Sequence, residues 1–354
     1  MAFHFSNLGI RANLIIKESY LDKWRRLHSG IDPYSDKILN IIPEKSSKNR
    51  ILRNIREALN ARKFDMIFSI GLGGLWYLPY IRKPYVSYAT GADLTELADG
   101  KGYSGIQVKQ AKKVFRNAKL VFYSVEKGHQ KMIKKLNLKN TVPWRQFIDT
   151  NFWKMSIESQ RNDDGILKIF HPTSLDWIPK FEGQRLKSND ILFRGFKKFL
   201  DDGGRGKLFF RKRGQNVRET ESLVQELDLE KHVELLPDSQ DREEQKRVMT
   251  KMDLVADQFG VGNFGLIALE AMSLGKPVIT FLPEDAAKLS YPPPDEPPPI
   301  LNASTPDEIA HKLMELQNRK ILYKYSVESR KWIEKHHEES VLAKWYLKTL
   351  EDFL

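Results

Sequence analysis

Cysteine is absent from the 354 residues. That excludes disulfides and thiolate metal sites and fits a reducing compartment. No run of 18 apolar residues occurs, so no transmembrane helix is expected. The first residues, MAFHFSNLGIRANLII, lack the basic start, apolar block and small-residue cleavage site of a secretory signal, and a cytoplasmic location is expected. Acidic residues are in deficit, 46 against 58 Lys and Arg, for a net charge of +12. Such a balance favours anionic partners: nucleic acid, an anionic membrane surface or phosphorylated small molecules. Zinc-finger, RRM and basic-zipper patterns are missing, and the cations spread over both halves, so no specific nucleic-acid partner is expected.

What is present is a hydrophobic content of 41%, enough for two domains of ordinary size. Residues 1–9 read as the tail of a helix. Strands are expected at Ile10–Ile16, Phe64–Ile70, Tyr85–Tyr88 and Leu120–Ser124, with helices at 46–61, 106–118 and 126–139. The polar, turn-rich run 154–165 is the expected linker. Beyond it, strands at Leu167–Phe170, Lys207–Phe210, His232–Leu235, Leu254–Ala256 and Val278–Phe281 alternate with helices at 189–200, 220–227, 242–252 and 266–274. Helices at 306–336, with a break, and 338–354 close the chain. This alternation predicts an α/β protein of two Rossmann-like domains, 1–154 and 166–337, facing a cleft. Trp332, Trp345, Tyr346 and Phe353 are expected to pack against a domain. The run YPPPDEPPPI at 291–300 reads as a rigid surface connection.

The most informative stretch is Asp253–Phe281, which reads strand, glycine-rich loop, helix, strand. Gly260, Gly262 and Gly265 let a backbone approach a ligand closely, and a helix N-terminus favours phosphate. Glu270 is the only charge between Asp257 and Lys276. Its side chain should lean back toward the loop, where a carboxylate can accept two ribose hydroxyl protons. Gly275 sits where a helix end wants a left-handed residue, ahead of Pro277. Three other features carry a functional and a plain reading side by side. Gly71, Gly73 and Gly74 form half a dinucleotide fingerprint, or a plain strand-to-helix turn, since Trp76 takes the third glycine's place. Asp93, in the polar turn after Tyr88, is a ligand-contacting carboxylate or a helix N-cap. Lys127, Lys131, Lys134, Lys135 and Lys139 form a membrane-facing patch or a solvated helix face. The acidic pairs Asp163-Asp164 and Asp201-Asp202 read as solvated turns.

Phe264-Gly265-Leu266, Glu270-Ala271-Met272 and Gly275-Lys276-Pro277-Val278-Ile279 resemble the donor-site signature of retaining GT-B glycosyltransferases of the family 4 type (glycosyl transferases group 1). FDMIFSIG, PYVSYATGADL, NAKLVFYS, IDTNFW and KIFHPTS follow in the same order. The resemblance implies a GT-B fold and a hexosyltransferase-type enzyme that moves sugar from a nucleotide-diphospho-sugar with retention and without a metal or other cofactor. It implies that Glu270 holds the ribose. The backbone at Asn263, Phe264, Gly265 and Leu266 would cover the diphosphate and sugar, with Gly262 beside them in the donor site, and Lys187 would stabilise the leaving diphosphate. Thr173, Arg213 and Gly214 would line the donor site. Thr90, Gly91 and Asp93 would form the acceptor side, with Asp93 a third catalytic candidate beside Lys187 and Glu270. The last helix, 338–354, would return to the N-terminal domain. The acceptor would be lipid-linked or polysaccharide, with peripheral contact at an anionic membrane surface. The chain departs from the pattern at Gly262, where a second glutamate often stands, at Ser174, where a basic residue is usual, and at Thr90, where histidine is common. The usual first strand is not visible. These departures imply an alternative: a scaffold that binds nucleotide sugar without transferring it.

Overall fold

The computed structural model describes residues 14–17, 39–42, 50–71, 74–91, 93–100, 103–155, 165–180, 184, 186–239, 241–292 and 295–353. The expected helix over 1–9, the acidic pair at 163–164, Gly73 and most of the expected linker lie outside them. The chain divides into two compact units, Met1–Arg145 with Ala343–Leu354, and Gln146–Leu342. The first division falls ahead of the expected linker, because 146–153 is tied to the second unit. Ile148 N–H donates to the His337 carbonyl at 2.9 Å. The Arg330 guanidinium donates to the carbonyls of Thr150 (3.2 Å), Trp153 (2.9 Å) and Ser273 (2.7 Å).

In the first unit, β1 (Leu14–Lys17) and β2 (Leu39–Ile42) form a two-stranded parallel sheet, and α1 spans Arg50–Ala61. A four-stranded parallel sheet runs in the order β3 (Ile67–Ile70), β4 (Tyr85–Tyr88), β5 (Leu120–Tyr123), β6 (Thr141–Pro143). Helices α2 (Gly105–Asn117) and α3 (Lys127–Leu136) are the β4–β5 and β5–β6 crossovers. Right-handed crossovers that step the same way lay both helices on one face. Val121 and Tyr123 accordingly share a core with Val114 and Phe115 of α2 and Met132 and Leu136 of α3. Phe122, pointing the other way along the pleat, meets Tyr346 with ring centroids 5.0 Å apart. Tyr346 belongs to α11 (Glu339–Phe353), and its hydroxyl donates to the Arg145 carbonyl at 2.6 Å.

The second unit is a six-stranded parallel sheet in the order β12-β11-β10-β7-β8-β9. Its strands are β7 (Leu167–His171), β8 (Gly206–Arg211), β9 (Val233–Leu236), β10 (Leu254–Ala256), β11 (Val278–Thr280) and β12 (Leu301–Asn302). Helices α4 (Asn189–Asp201), α5 (Val217–Glu226), α6 (Arg242–Thr250), α7 (Leu266–Ser273) and α8 (Glu284–Ser290) connect them. Helices α9 (Pro306–Leu316) and α10 (Arg319–His336) follow. The core joins Phe193, Phe196 and Phe199 of α4 to Ile169, Leu208 and Leu254 of the sheet and Ile309 and Leu313 of α9. Strand order reverses between β7 and β10. In open α/β sheets, ligands bind at the carboxyl ends of the strands at such a reversal. The short elements β6, β12 and α8 are not legible in the sequence: each has too few residues for a period to show.

Candidate functional site

The carboxyl ends of β7 and β10 place His171-Pro172-Thr173 beside Asp257-Gln258. Thr173 Oγ1 donates to Asp257 Oδ1 across the reversal at 2.9 Å. Asp257 Oδ2 accepts the Gly265 N–H at 2.8 Å, so one buried carboxylate ties the β7 exit loop to the start of α7. The next two amides of α7, Leu266 and Ile267, have no partner among the described residues, and Leu266 is 45% exposed. They are the orphan donors that a helix N-terminus offers to an anion.

Lys187 lies two residues ahead of α4, and its backbone is pinned. Its N–H donates to the Asp176 carbonyl at 2.6 Å, and its carbonyl accepts from Phe259 N–H at 2.9 Å. The ammonium donates to Gln258 Oε1, and Gln258 Nε2 donates to the Asn263 carbonyl. Gln258 is buried, and its own carbonyl accepts from Phe281 N–H (3.0 Å) and Thr280 Oγ1 (2.8 Å). One side chain therefore links the lysine to the glycine loop. The loop is shaped by contact: a Cβ at Gly260 would lie 2.4 Å from Ser188 Oγ and 2.5 Å from the Leu186 carbonyl oxygen. Gly262 has φ +72°, a conformation that disfavours any side chain there.

His171 is fully buried and pushed down to about 4 by desolvation, opposed by its bond to Ala256 and reinforced by the charges of Lys187 and Arg213. It is neutral: Nδ1–H donates to the Ala256 carbonyl at 2.9 Å and Nε2 accepts from Asn189 Nδ2 at 2.7 Å. Arg213 donates to the Pro172 carbonyl at 2.7 Å and lies 3.8 Å from Asp238. Gly214, φ +114°, lets the chain pass Leu175, whose N would lie 2.4 Å from a Cβ. Ser174 is committed to Asp176, its hydroxyl donating at 2.6 Å.

Glu270 sits one turn inside α7, 7% exposed, and accepts no hydrogen bond among the described residues. Desolvation pushes its carboxyl from the usual 4.5 up to about 8, against a smaller pull from Arg242. A buried carboxyl with no partner is costly, and such groups cluster at functional sites. Phe264, by contrast, is buried edge-on to Trp332, with centroids 6.4 Å apart. Lys276 is structural, its ammonium donating to the Thr250 (2.9 Å) and Met252 (2.6 Å) carbonyls.

In the first unit, Asp93 starts a short wide helical turn, Asp93–Leu97. Its buried carboxylate accepts from the amides of Thr90 (3.1 Å), Gly91 (2.9 Å) and Leu94 (2.9 Å). Burial raises its pKa while these bonds oppose the rise. These bonds run to its own turn and to two residues before it, which is not the pattern of an N-cap. Thr90 is exposed, and the Gly91 carbonyl accepts from His129 Nε2 at 3.1 Å and Thr95 Oγ1 at 3.0 Å. His129 holds this turn, its Nδ1 accepting from Ser124 N–H at 2.9 Å. No sequence pattern marks it out, since its partners are 5 and 38 residues away.

Thr173, Lys187, Asn263, Gly265 and Leu266 are thus brought to one end of the second sheet. Asp257 and Gln258 join this end through Thr173, Gly265 and Lys187. Among the described residues no cluster of three or more His, Asp or Glu stands ready for a metal, and no helix is long and apolar enough to cross a membrane.

Residues 190–286, roughly a quarter of the chain, match the family model described as glycosyl transferases group 1. No curated protein matches the sequence. Among solved structures, Anabaena Alr3699/HepE in complex with UDP has a TM-score of 0.68 at 15% identity, over 96% of this chain and 92% of that one. Sucrose-phosphate synthase (tll1590) from Thermosynechococcus elongatus has a TM-score of 0.67 at 12% identity, over 99% and 91%. The lipopolysaccharide outer core galactosyltransferase WaaB in its apo form has a TM-score of 0.59 at 16% identity, over 89% and 84%. At these identities the likeness shows the fold, and the fold is that of GT-B glycosyltransferases.

Proposed function

We propose that the protein is a glycosyltransferase that binds a nucleotide-diphospho-sugar on its second unit and transfers the sugar, with retention, to a hydroxyl of a lipid-linked or polysaccharide acceptor. The observation that carries this reading is the unpartnered buried Glu270 behind the free amides of Leu266 and Ile267, at the strand-order reversal. In this reading Glu270 accepts the two ribose hydroxyls, and the diphosphate lies against the α7 amides and the Lys187 ammonium. The bond between the anomeric carbon and the diphosphate oxygen breaks with its electron pair going to the diphosphate. That group gains negative charge, which fixed N–H donors and a cation stabilise without reorganising. The acceptor oxygen bonds to the anomeric carbon on the face just vacated, and its proton passes to the departing phosphate oxygen. Asp93 shapes the Thr90-Gly91 turn on the acceptor side through backbone bonds. The HepE structures with UDP, UDP-glucose, and UDP with glucose make UDP and UDP-glucose the first probes.

The test is turnover of nucleotide sugars with and without EDTA. Glu270→Ala and Lys187→Ala should each cut transfer at least about tenfold, roughly 1.4 kcal/mol in the barrier, and chelation should leave the rate unchanged. Full activity in both variants would overturn the assignment. A second reading, binding without transfer, is favoured by Ser174, whose hydroxyl is already committed to Asp176. Calorimetric binding of UDP-sugars with no release of UDP selects it.

A further inference from the structure

Residues 105–139, which hold α2, β5 and α3, carry ten cations: Lys109, Lys112, Lys113, Arg116 and Lys119, then Lys127, Lys131, Lys134, Lys135 and Lys139. The single acid among them, Glu126, is buried. Ten minus one leaves nine positive charges in 35 residues, three-quarters of the net +12 of the whole chain. Among the described residues one of the ten has an acidic partner: Lys135 pairs with Asp99. In the second unit many cations pair with acids, as with Lys197–Asp201, Lys198–Asp307, Lys207–Glu234, Arg211–Glu244, Lys212–Glu221 and Lys288–Glu284. The contrast has a physical cost. Lys127, Lys131 and Lys135 stand at four-residue spacing on one helix, where like charges repel. Because α2 and α3 lie on the same face of the sheet, the two sets of cations add up on one surface.

The surface also has an apolar foothold. Ile106, in the first turn of α2, is 67% exposed, and Tyr80 is 55% exposed. Lys113 Nζ lies 4.2 Å from the Tyr80 ring centroid, and the Tyr80 hydroxyl accepts from Gln110 Nε2 at 2.6 Å. The tyrosine is thereby held on the basic face. An exposed isoleucine and a tyrosine with an apolar body and a polar tip, set among unpaired lysines, match the chemistry of an anionic lipid surface: headgroup charge outside, hydrocarbon just beneath. A single-strand nucleic-acid site would need several stacking aromatics.

We propose that the outer face of α2 and α3, with Tyr80 and Ile106, docks this unit onto an anionic lipid bilayer. It would bring the protein to the surface that carries a lipid-linked acceptor of the kind proposed above. It stands on charge and exposure, independently of the donor site.

The test is co-sedimentation of the full chain with vesicles of phosphatidylcholine alone or with about a third phosphatidylglycerol. Each cation near such a surface contributes about fivefold in partitioning. The triple variant Lys127→Glu/Lys131→Glu/Lys134→Glu should therefore bind the anionic vesicles at least about 100-fold more weakly. Ile106→Asp should weaken binding about fivefold with the lysines intact. A control of equal charge change, Lys231→Glu/Lys320→Glu/Lys331→Glu, should stay within about threefold of the parent, since these residues lie on the other unit. Three outcomes overturn the proposal: no preference for phosphatidylglycerol, equal losses in control and test variants, or a 30-mer of thymidylate that binds as tightly as vesicles and is lost with the same lysines. Circular dichroism confirms that each variant is folded. UDP binding measured on the same samples separates the two readings: vesicle binding that fails while UDP still binds removes this proposal alone, and the reverse removes the donor-site reading alone.

Discussion

Glu270 and Gln258 define the site at the scale of single residues. A carboxyl held near 8 is mostly protonated at pH 7, whereas a carboxylate gripping two ribose hydroxyls is ionised. Binding of UDP at pH 7 should therefore release close to one proton, read by calorimetry in buffers of different ionisation enthalpy, and Glu270→Gln should abolish the release. The same shift affects stability. The folded chain keeps a proton between the ordinary carboxylate range and about 8 that the unfolded chain has lost, so this contribution falls as pH rises through that window. Urea midpoints of Glu270→Gln should show a flatter pH dependence, with the variant the more stable at pH 8 by a few kcal/mol. Gln258 is a positioning residue that acts through Lys187. Gln258→Glu gives the ammonium an internal carboxylate and should weaken UDP binding at least about tenfold while uridine binding is unchanged. Gln258→Ala should do less, and adding it to Lys187→Ala should cost nothing more. If Gln258→Glu binds UDP normally, the lysine is not the phosphate group's partner.

At the scale of elements, α7 is the piece on which both sequence motif and site depend. Its end is a Schellman motif: Gly275 N–H donates to the Met272 carbonyl (3.0 Å) and Lys276 N–H to that of Ala271 (2.9 Å). Gly275, φ +68°, also leaves room for Met155, whose sulfur would lie 2.8 Å from a Cβ. Gly275→Ala combines a left-handed penalty with overpacking and should cost roughly 2–4 kcal/mol in urea unfolding. Arg330 holds the same end of the helix, a favourable place for a cation. Its guanidinium serves the carbonyls of Ser273, Thr150 and Trp153. This explains why 146–153 belongs with the second unit, against the expectation that the linker's polarity would set the boundary.

On the scale of the whole molecule, there are two compact units. The proposed donor site falls within Gln146–Leu342. Hydrogen exchange with UDP at about 100 times its dissociation constant should protect the β7, β10 and α7 region, in line with roughly 2.7 kcal/mol of added stability. Protection confined to the first unit would contradict the site. The charge is divided as well: many cations of the second unit pair with acids, whereas among the described residues the α2–α3 cations of the first have one acidic partner, Asp99 on Lys135.

The sequence by itself determined the parallel α/β class, the strands and helices long enough to show a period, and the helix end at Gly275. Each of these rests on contacts between near neighbours, which residue spacing records. It also exposed Glu270, because a lone charge in an apolar helix stands out without any structure. The tertiary structure decided what joins distant segments. The order of six strands puts the reversal between β7 and β10, so that Thr173 meets Asp257, 84 residues away, and Lys187 meets Gln258, 71 residues away. Folding likewise turned Asp93 inward to its own turn and, among the described residues, left nine of the ten α2–α3 cations without an acidic partner. Pairing depends on which side chains converge in space, and no local pattern in the chain encodes that convergence.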